Sequence, residues 1–173
     1  GSEAVGRILL DICAKREVPI PVYAEMGSLN PVFVTSAAIT ERSEELAKGL
    51  VDSALLGSGQ FCTKPGLIFI PANQTQFLSQ MSAHLATLKV GPLLSSSIAS
   101  RYSAAIADLS QKTSLQVFSA QTTDNGFGVT PTIFVTDWVT AQSTPGLLEE
   151  HFGPTTVVIT ANENDYVKIA SEL

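Results

Sequence analysis

The chain has 173 residues, 45% of them hydrophobic and 15% charged, and a formal net charge of −6 at pH 7. That length and apolar content suit one folded domain with a real core and exclude a disordered chain. The acidic balance, with no Lys/Arg cluster, argues against nucleic acid or an acidic membrane surface as partner.

No apolar run in the sequence approaches the ~18–20 residues of a membrane span, and the opening residues do not read as a signal peptide. Cys13 and Cys62 form no CxxC pair, so neither a disulfide framework nor a metal site is expected, and a reducing, cytoplasmic setting is the simplest reading. The sequence opens on Gly1-Ser2 rather than Met and stops inside a helical pattern without a cap. The expectation is a fragment, with Gly1-Ser2 either native or a cloning scar.

In chain order, residues 6–21 open as an amphipathic helix. Ile8, Ile12 and the pair Leu9/Cys13 recur at helical spacing, and the pattern stops before Pro19. Residues 21–27 read as a short buried strand and 30–35 as another extended piece. A second helix is predicted over 40–56. Thr40 is its N-cap, Glu41, Glu44 and Glu45 sit in its first turns, and Leu46, Leu50 and Ala54 form its inner stripe, widened by Val51 and Leu55. Gly57-Ser58-Gly59 ends it. Residues 66–72 form a continuous apolar strand. Asn73 with Gln76 resembles a capping box for a helix carrying Phe77, Met81, Leu85 and Leu88. Residues 95–113 are a further helix. Strands are predicted at 115–121, 130–139 and 155–161, the last leading into a terminal helix. Apolar strands alternating with helices predict an α/β fold with a mainly parallel sheet flanked by helices, in one domain spanning 1–173.

Cys62 lies at a break between periodic segments, in the stretch GSGQFCTKPG. A thiolate is a strong nucleophile, and the glycines allow a sharp turn and close approach of a substrate. Lys64, two residues on, is a candidate to favour the thiolate unless alternation points it elsewhere. For Cys62 the alternative is a small buried hydrophobe. Glu25 interrupts an apolar stretch, VYAEMGS. A carboxylate there is costly unless paired, hydrated or neutralised, and suits a general base. Otherwise it is a strand-end carboxylate in water. The segment EEHFGP, residues 149–154, is a solvated loop or a ligand-binding one. His84 reads as a surface or boundary residue, and His151 gains interest only from its neighbours. No glycine pattern of a phosphate loop is present.

Three segments, PVYAEMGSLNPVFV, GSGQFCTKPG and EEHFGPTTVVI, resemble in the same order three characteristic segments of the aldehyde dehydrogenase superfamily. Their wording is most similar to the ketoglutarate semialdehyde dehydrogenase branch, and NADP-dependent fatty aldehyde dehydrogenases share much of it. The resemblance implies a catalytic-domain fragment whose cofactor-binding domain and C-terminal segments lie outside the chain. It implies oxidation of an aldehyde, such as 2-oxoglutarate semialdehyde, to a carboxylate through a cysteine thioester. It assigns Cys62 as nucleophile and Glu25 as the base that activates water. Glu150 would hold the nicotinamide ribose, Phe152 would sit near the nicotinamide, the Met26 backbone would contact the ring and Ser2 would lie near the cofactor phosphates. The implied cofactor is NADP or NAD, and the implied full-length enzyme is a homo-oligomer. Two other readings stay open: a cofactor-independent thioester or ester hydrolase using Cys62 and Glu25, and a non-catalytic binding module.

Overall fold

The structure is a computed structural model that describes residues 1–112, 114–122 and 126–173. Its centre is a five-stranded sheet. The strands are β1 (Val32–Phe33), β2 (Leu67–Ile70), β3 (Gln116–Ser119), β4 (Thr132–Asp137) and β5 (Thr155–Thr160), in the spatial order β1-β2-β5-β4-β3. All neighbouring pairs are parallel except the antiparallel edge pair β3–β4. The helices are α1 (Glu3–Ala14), α2 (Ser36–Leu55), α3 (Thr75–Thr87), α4 (Ser96–Ser110), α5 (Trp138–Ser143) and α6 (Tyr166–Glu172). This is the α/β architecture read from the alternation of strand and helix patterns.

The period of two along each central strand divides the core. Ile68, Ile70, Ile133, Val135 and Val158 face one layer with Val51 and Ala54 of α2 and Phe77, Met81 and Leu85 of α3. Leu67, Phe69, Phe134, Val157 and Ile159 face the other, with Leu109 of α4, Ile169 of α6 and Leu147 from the turn after α5. Both faces are covered, which is why β2, β4 and β5 each carry consecutive apolar residues rather than an alternation of apolar and exposed polar ones.

Several local expectations are corrected. Residues 21–27 are not a buried strand: they are irregular, and Tyr23 is 94% exposed. A strand needs a neighbouring strand for its main-chain groups, and this segment instead bonds to the N-terminal residue, Gly27 N–H donating to Gly1 O at 3.2 Å and the Gly1 amine donating to Glu25 O at 2.9 Å. α2 begins at Ser36, with the Thr35 hydroxyl accepting from Ala38 N–H at 3.3 Å, and Thr40 lies inside the helix with its hydroxyl donating to Ser36 O at 2.9 Å. No acidic residue of α2 itself lies in its first turn. Glu163, far along the chain, supplies the carboxylate there and accepts from both Ser36 N–H and Ser36 Oγ. The capping box at α3 does not form: Gln74 is the N-cap without a side-chain cap bond, and Asn73 adopts φ +63°. The strand expected over 130–139 ends at Asp137, whose carboxylate caps α5 by accepting from Thr140 N–H at 2.9 Å and Thr140 Oγ1 at 2.7 Å. Those bonds from Thr140 hold the Asp137 carboxyl below its usual pKa. α1 forms as expected, yet its apolar stripe faces outward: Ile8, Leu9 and Ile12 are half exposed or more, and only Gly6 is buried.

Candidate active site

The topology places the site. The segment holding Glu25 precedes β1, the Cys62 segment precedes β2, and residues 149–153 precede β5. These three strands are adjacent and parallel, so three segments distant in sequence enter the sheet side by side at one end.

There they surround a cleft of about 1060 Å³ lined by Ser2, Glu25, Met26, Gly27, Cys62, Ile98, Arg101, Tyr102, Glu149, Glu150, His151 and Phe152, among others. Every residue singled out as catalytic or cofactor-holding lies on this wall.

Cys62 sits at a turn closed by Lys64 N–H donating to Phe61 O at 3.2 Å, and its side chain is exposed. The turn is fastened by its carbonyl. Cys62 O accepts from Ser28 Oγ at 2.5 Å and Asn30 Nδ2 at 2.6 Å, and Asn30 Nδ2 also reaches Lys64 O at 3.1 Å. Ser28 and Asn30 therefore tie the Glu25 segment to the Cys62 segment. Both belong to the stretch EMGSLNP, but nothing in their spacing announced a bond to that carbonyl.

The glycines before Cys62 act differently from the expectation. Gly57 and Gly59 both take positive φ, +57° and +66°. The space left by their missing side chains is occupied by protein rather than held for a substrate. The Phe61 ring covers Gly57, and a Cβ at Gly59 would fall 2.0 Å from Gly153 O. Gly59 thus permits backbone-to-backbone approach between the Cys62 segment and the 149–154 loop.

Lys64 does not point toward the thiol. It is buried, and its Nζ donates to the carbonyls of His151 (2.6 Å), Gly153 (3.2 Å) and Thr155 (2.9 Å). Burial lowers its pKa to about 8 against an upward pull from Glu150. The His151 ring is bonded to Gly146 O at 2.9 Å, and burial is the main cause lowering its pKa. Tyr102, missed from sequence, closes the cleft behind Gly153. Its hydroxyl lies 2.9 Å from Thr130 O and 3.0 Å from Pro154 O and shares its one proton between the two carbonyls, and burial pushes its pKa up. His84 lies away from the cleft on α3, its Nε2 2.7 Å from Asp52 Oδ1. Among the described residues no cluster of His, Cys, Asp and Glu could hold a metal ion, and no helix is long and apolar enough to cross a membrane.

The family model described as "Aldehyde dehydrogenase family" matches residues 1–172. The chain belongs to the aldehyde dehydrogenase family. It is 33% identical over 172 residues to alpha-ketoglutaric semialdehyde dehydrogenase 2 of Azospirillum brasilense, covering 96% of this chain and 32% of that protein. It is also 33% identical to alpha-ketoglutaric semialdehyde dehydrogenase of Acinetobacter baylyi (strain ATCC 33305 / BD413 / ADP1) over 183 residues, 100% of this chain and 35% of that protein. Among solved structures, a bifunctional proline utilization A (PutA) protein matches with a TM-score of 0.83 and 26% identity, covering 99% of this chain and 18% of that one. This aldehyde dehydrogenase chain therefore spans about a third of the curated relatives it matches.

Glu150 and Phe152, the latter 37% exposed, present a carboxylate and an aromatic ring on the cleft wall, a donor set compatible with the ribose and ring of a nicotinamide dinucleotide. Gly27 lies against Glu150, a Cβ there being 3.4 Å from Oε2 and in ordinary contact, so it is the left-handed backbone at φ +69° that favours glycine at this position. The Met26 thioether lies over Gly6 of α1.

Proposed function

We propose that the chain is the catalytic portion of a longer NAD- or NADP-dependent aldehyde dehydrogenase that oxidises an aldehyde to a carboxylate, with Cys62 as nucleophile and Glu25 as base. The observation that carries this reading is the convergence of Cys62, Glu25, Glu150 and Phe152 on one cleft, built by the segments preceding three adjacent parallel strands.

The Cys62 thiolate adds to the aldehyde carbon, forming a C–S bond and leaving the electron pair on an alkoxide oxygen. That oxyanion needs donors, and the Cys62 main-chain N–H serves with a side-chain amide from outside the chain. The chemistry supplied by a bound nicotinamide dinucleotide is hydride acceptance. Glu150, Phe152, the Met26 backbone and Ser2, all on the cleft wall, would hold its nicotinamide end and linking phosphates. Glu25 then takes a proton from the water that attacks the Cys62 thioester. The C–S bond breaks, and the acid leaves with regeneration of the thiolate.

Support for a semialdehyde substrate comes from two relatives named for alpha-ketoglutaric semialdehyde and from Arg101 on the cleft wall. A guanidinium suits an aldehyde that also carries a carboxylate. The free cysteines suit a cytoplasmic enzyme, and the complete enzyme is a homo-oligomer.

In the complete enzyme, Glu25→Gln should preserve a stoichiometric burst of reduced cofactor while thioester hydrolysis slows by ~10²–10⁴-fold. Rapid-mixing absorbance with mass detection of the acylated Cys62 peptide reads both. Loss of the burst with unchanged hydrolysis would remove Glu25 from the role of base. Product formation without cofactor would favour the hydrolase reading instead.

A further inference from the structure

Lys64 is 6% exposed and lies on the same turn as Cys62. Its three donations all go to the 151–155 segment, which carries the carbonyls of His151, Gly153 and Thr155 on the approach to β5. Three N–H groups of one ammonium meet three carbonyl oxygens. From the other side, Gly59 brings the same two segments into backbone contact.

The geometry points to Lys64 as a positioning residue: its buried ammonium pins the loop that carries Glu150 and Phe152 to the turn that carries Cys62, and so sets the spacing between the nucleophile and the cofactor-holding shelf. For its consequence on cofactor this rests on the role proposed above for Glu150. Lys64 touches neither substrate nor reacting atoms; it acts through the loop.

Two physical arguments support the assignment. A buried cation is expensive, and apolar replacement of a buried ion is frequently neutral for stability. Its presence therefore calls for something other than fold stability, and placement of a loop is what its bonds accomplish. The charge has a second effect. Glu25, Glu149 and Glu150 all line the cleft, and Glu150 acts electrostatically on Lys64. A cation beneath the loop offsets the repulsion of gathering three carboxylates around one cleft.

The test uses Lys64→Met, which keeps the chain length and removes the donors, and Lys64→Gln, which keeps a shorter amide donor. Amide hydrogen exchange comes first. Lys64→Met should speed exchange across 149–155 at least about tenfold while α3 exchanges as in the parent, with Lys64→Gln between. Unchanged exchange across that loop would overturn the positioning role. If Lys64→Met does not fold, Lys64→Gln decides by the same comparison.

Cofactor titration of the complete enzyme comes second, with Lys64→Met, Glu150→Gln and the double variant. Lys64→Met should raise the cofactor Kd and KM at least about fivefold, with a smaller change in kcat at saturating cofactor. The double variant should bind no more weakly than Glu150→Gln alone, within about twofold. Fully multiplicative losses would overturn a route through Glu150. If Glu150→Gln alone keeps parental affinity, the proposed role of Glu150 fails, and the exchange comparison still decides the role of Lys64.

Discussion

Gly59→Ala perturbs the closest contact in the site. Gly59 has φ +66°, and an added Cβ would lie 2.0 Å from Gly153 O, 2.3 Å from Gly153 C and 2.7 Å from Pro154 N. All three atoms are backbone, so no flexible side chain can step aside. Ordinary contact begins at 3.4 Å, so one segment must retreat by more than ~1 Å. The left-handed backbone costs a residue with a Cβ ~1–2 kcal/mol, and forcing an overpacked contact adds ~1–3 kcal/mol. A loss of ~2–5 kcal/mol lowers Tm by roughly 5–15 °C for a domain of this size. Gly49→Ala is the control. It lies within α2 with nothing inside 4 Å of its added Cβ, and should stabilise by ~0.5–1 kcal/mol because alanine favours a helix. Scanning calorimetry of the two variants gives opposite signs if this reasoning holds. A Gly59→Ala protein melting within about 2 °C of the parent would refute the contact argument.

Cys62, exposed on its turn, should react with iodoacetamide faster than Cys13, which is partly covered on α1; peptide mass mapping after brief labelling checks this, and preferential labelling of Cys13 counts against it. Lys64 has its folded pKa lowered by burial to about 8 from 10.5, so between these values the unfolded chain binds a proton that the folded chain does not. Its contribution should therefore make stability rise with pH from about 8 toward 10.5, read as the difference between parent and Lys64→Met in urea titrations; an identical pH dependence in the two proteins would oppose the burial of a charged amine. The 173-residue chain alone should bind NAD or NADP only in the millimolar range or weaker, on the order of −4 kcal/mol, because the contacts proposed for Glu150 and Phe152 reach one end of the dinucleotide; isothermal titration yielding a micromolar Kd would mean that these residues form a complete cofactor site.

The architecture was legible because burial leaves a local record. β2, β4 and β5, covered on both faces, each centre on a run of consecutive apolar residues, and α2 and α3 repeat their core residues at helical spacing. The family was legible for a different reason: three short segments around Glu25, Cys62 and Glu150 carry distinctive wording in a fixed order. What local patterns could not contain was anything requiring a partner. Residues 21–27 have the composition of a strand, but a strand exists only where a neighbour accepts its bonds. α1 has an apolar stripe, yet which surface covers that stripe is not written in its spacing. The start of α2 depends on Glu163, more than a hundred residues away. The direction of Lys64 is the clearest case. Its distance from Cys62 along the chain left open whether it acts on the thiol or points elsewhere, and the adjacency of β2 and β5 aims it at three carbonyls of the 151–155 segment. Sequence spacing determines which residues share a turn or a helix face. Only the order of strands in the sheet decides which turns meet, because that order comes from long-range pairing.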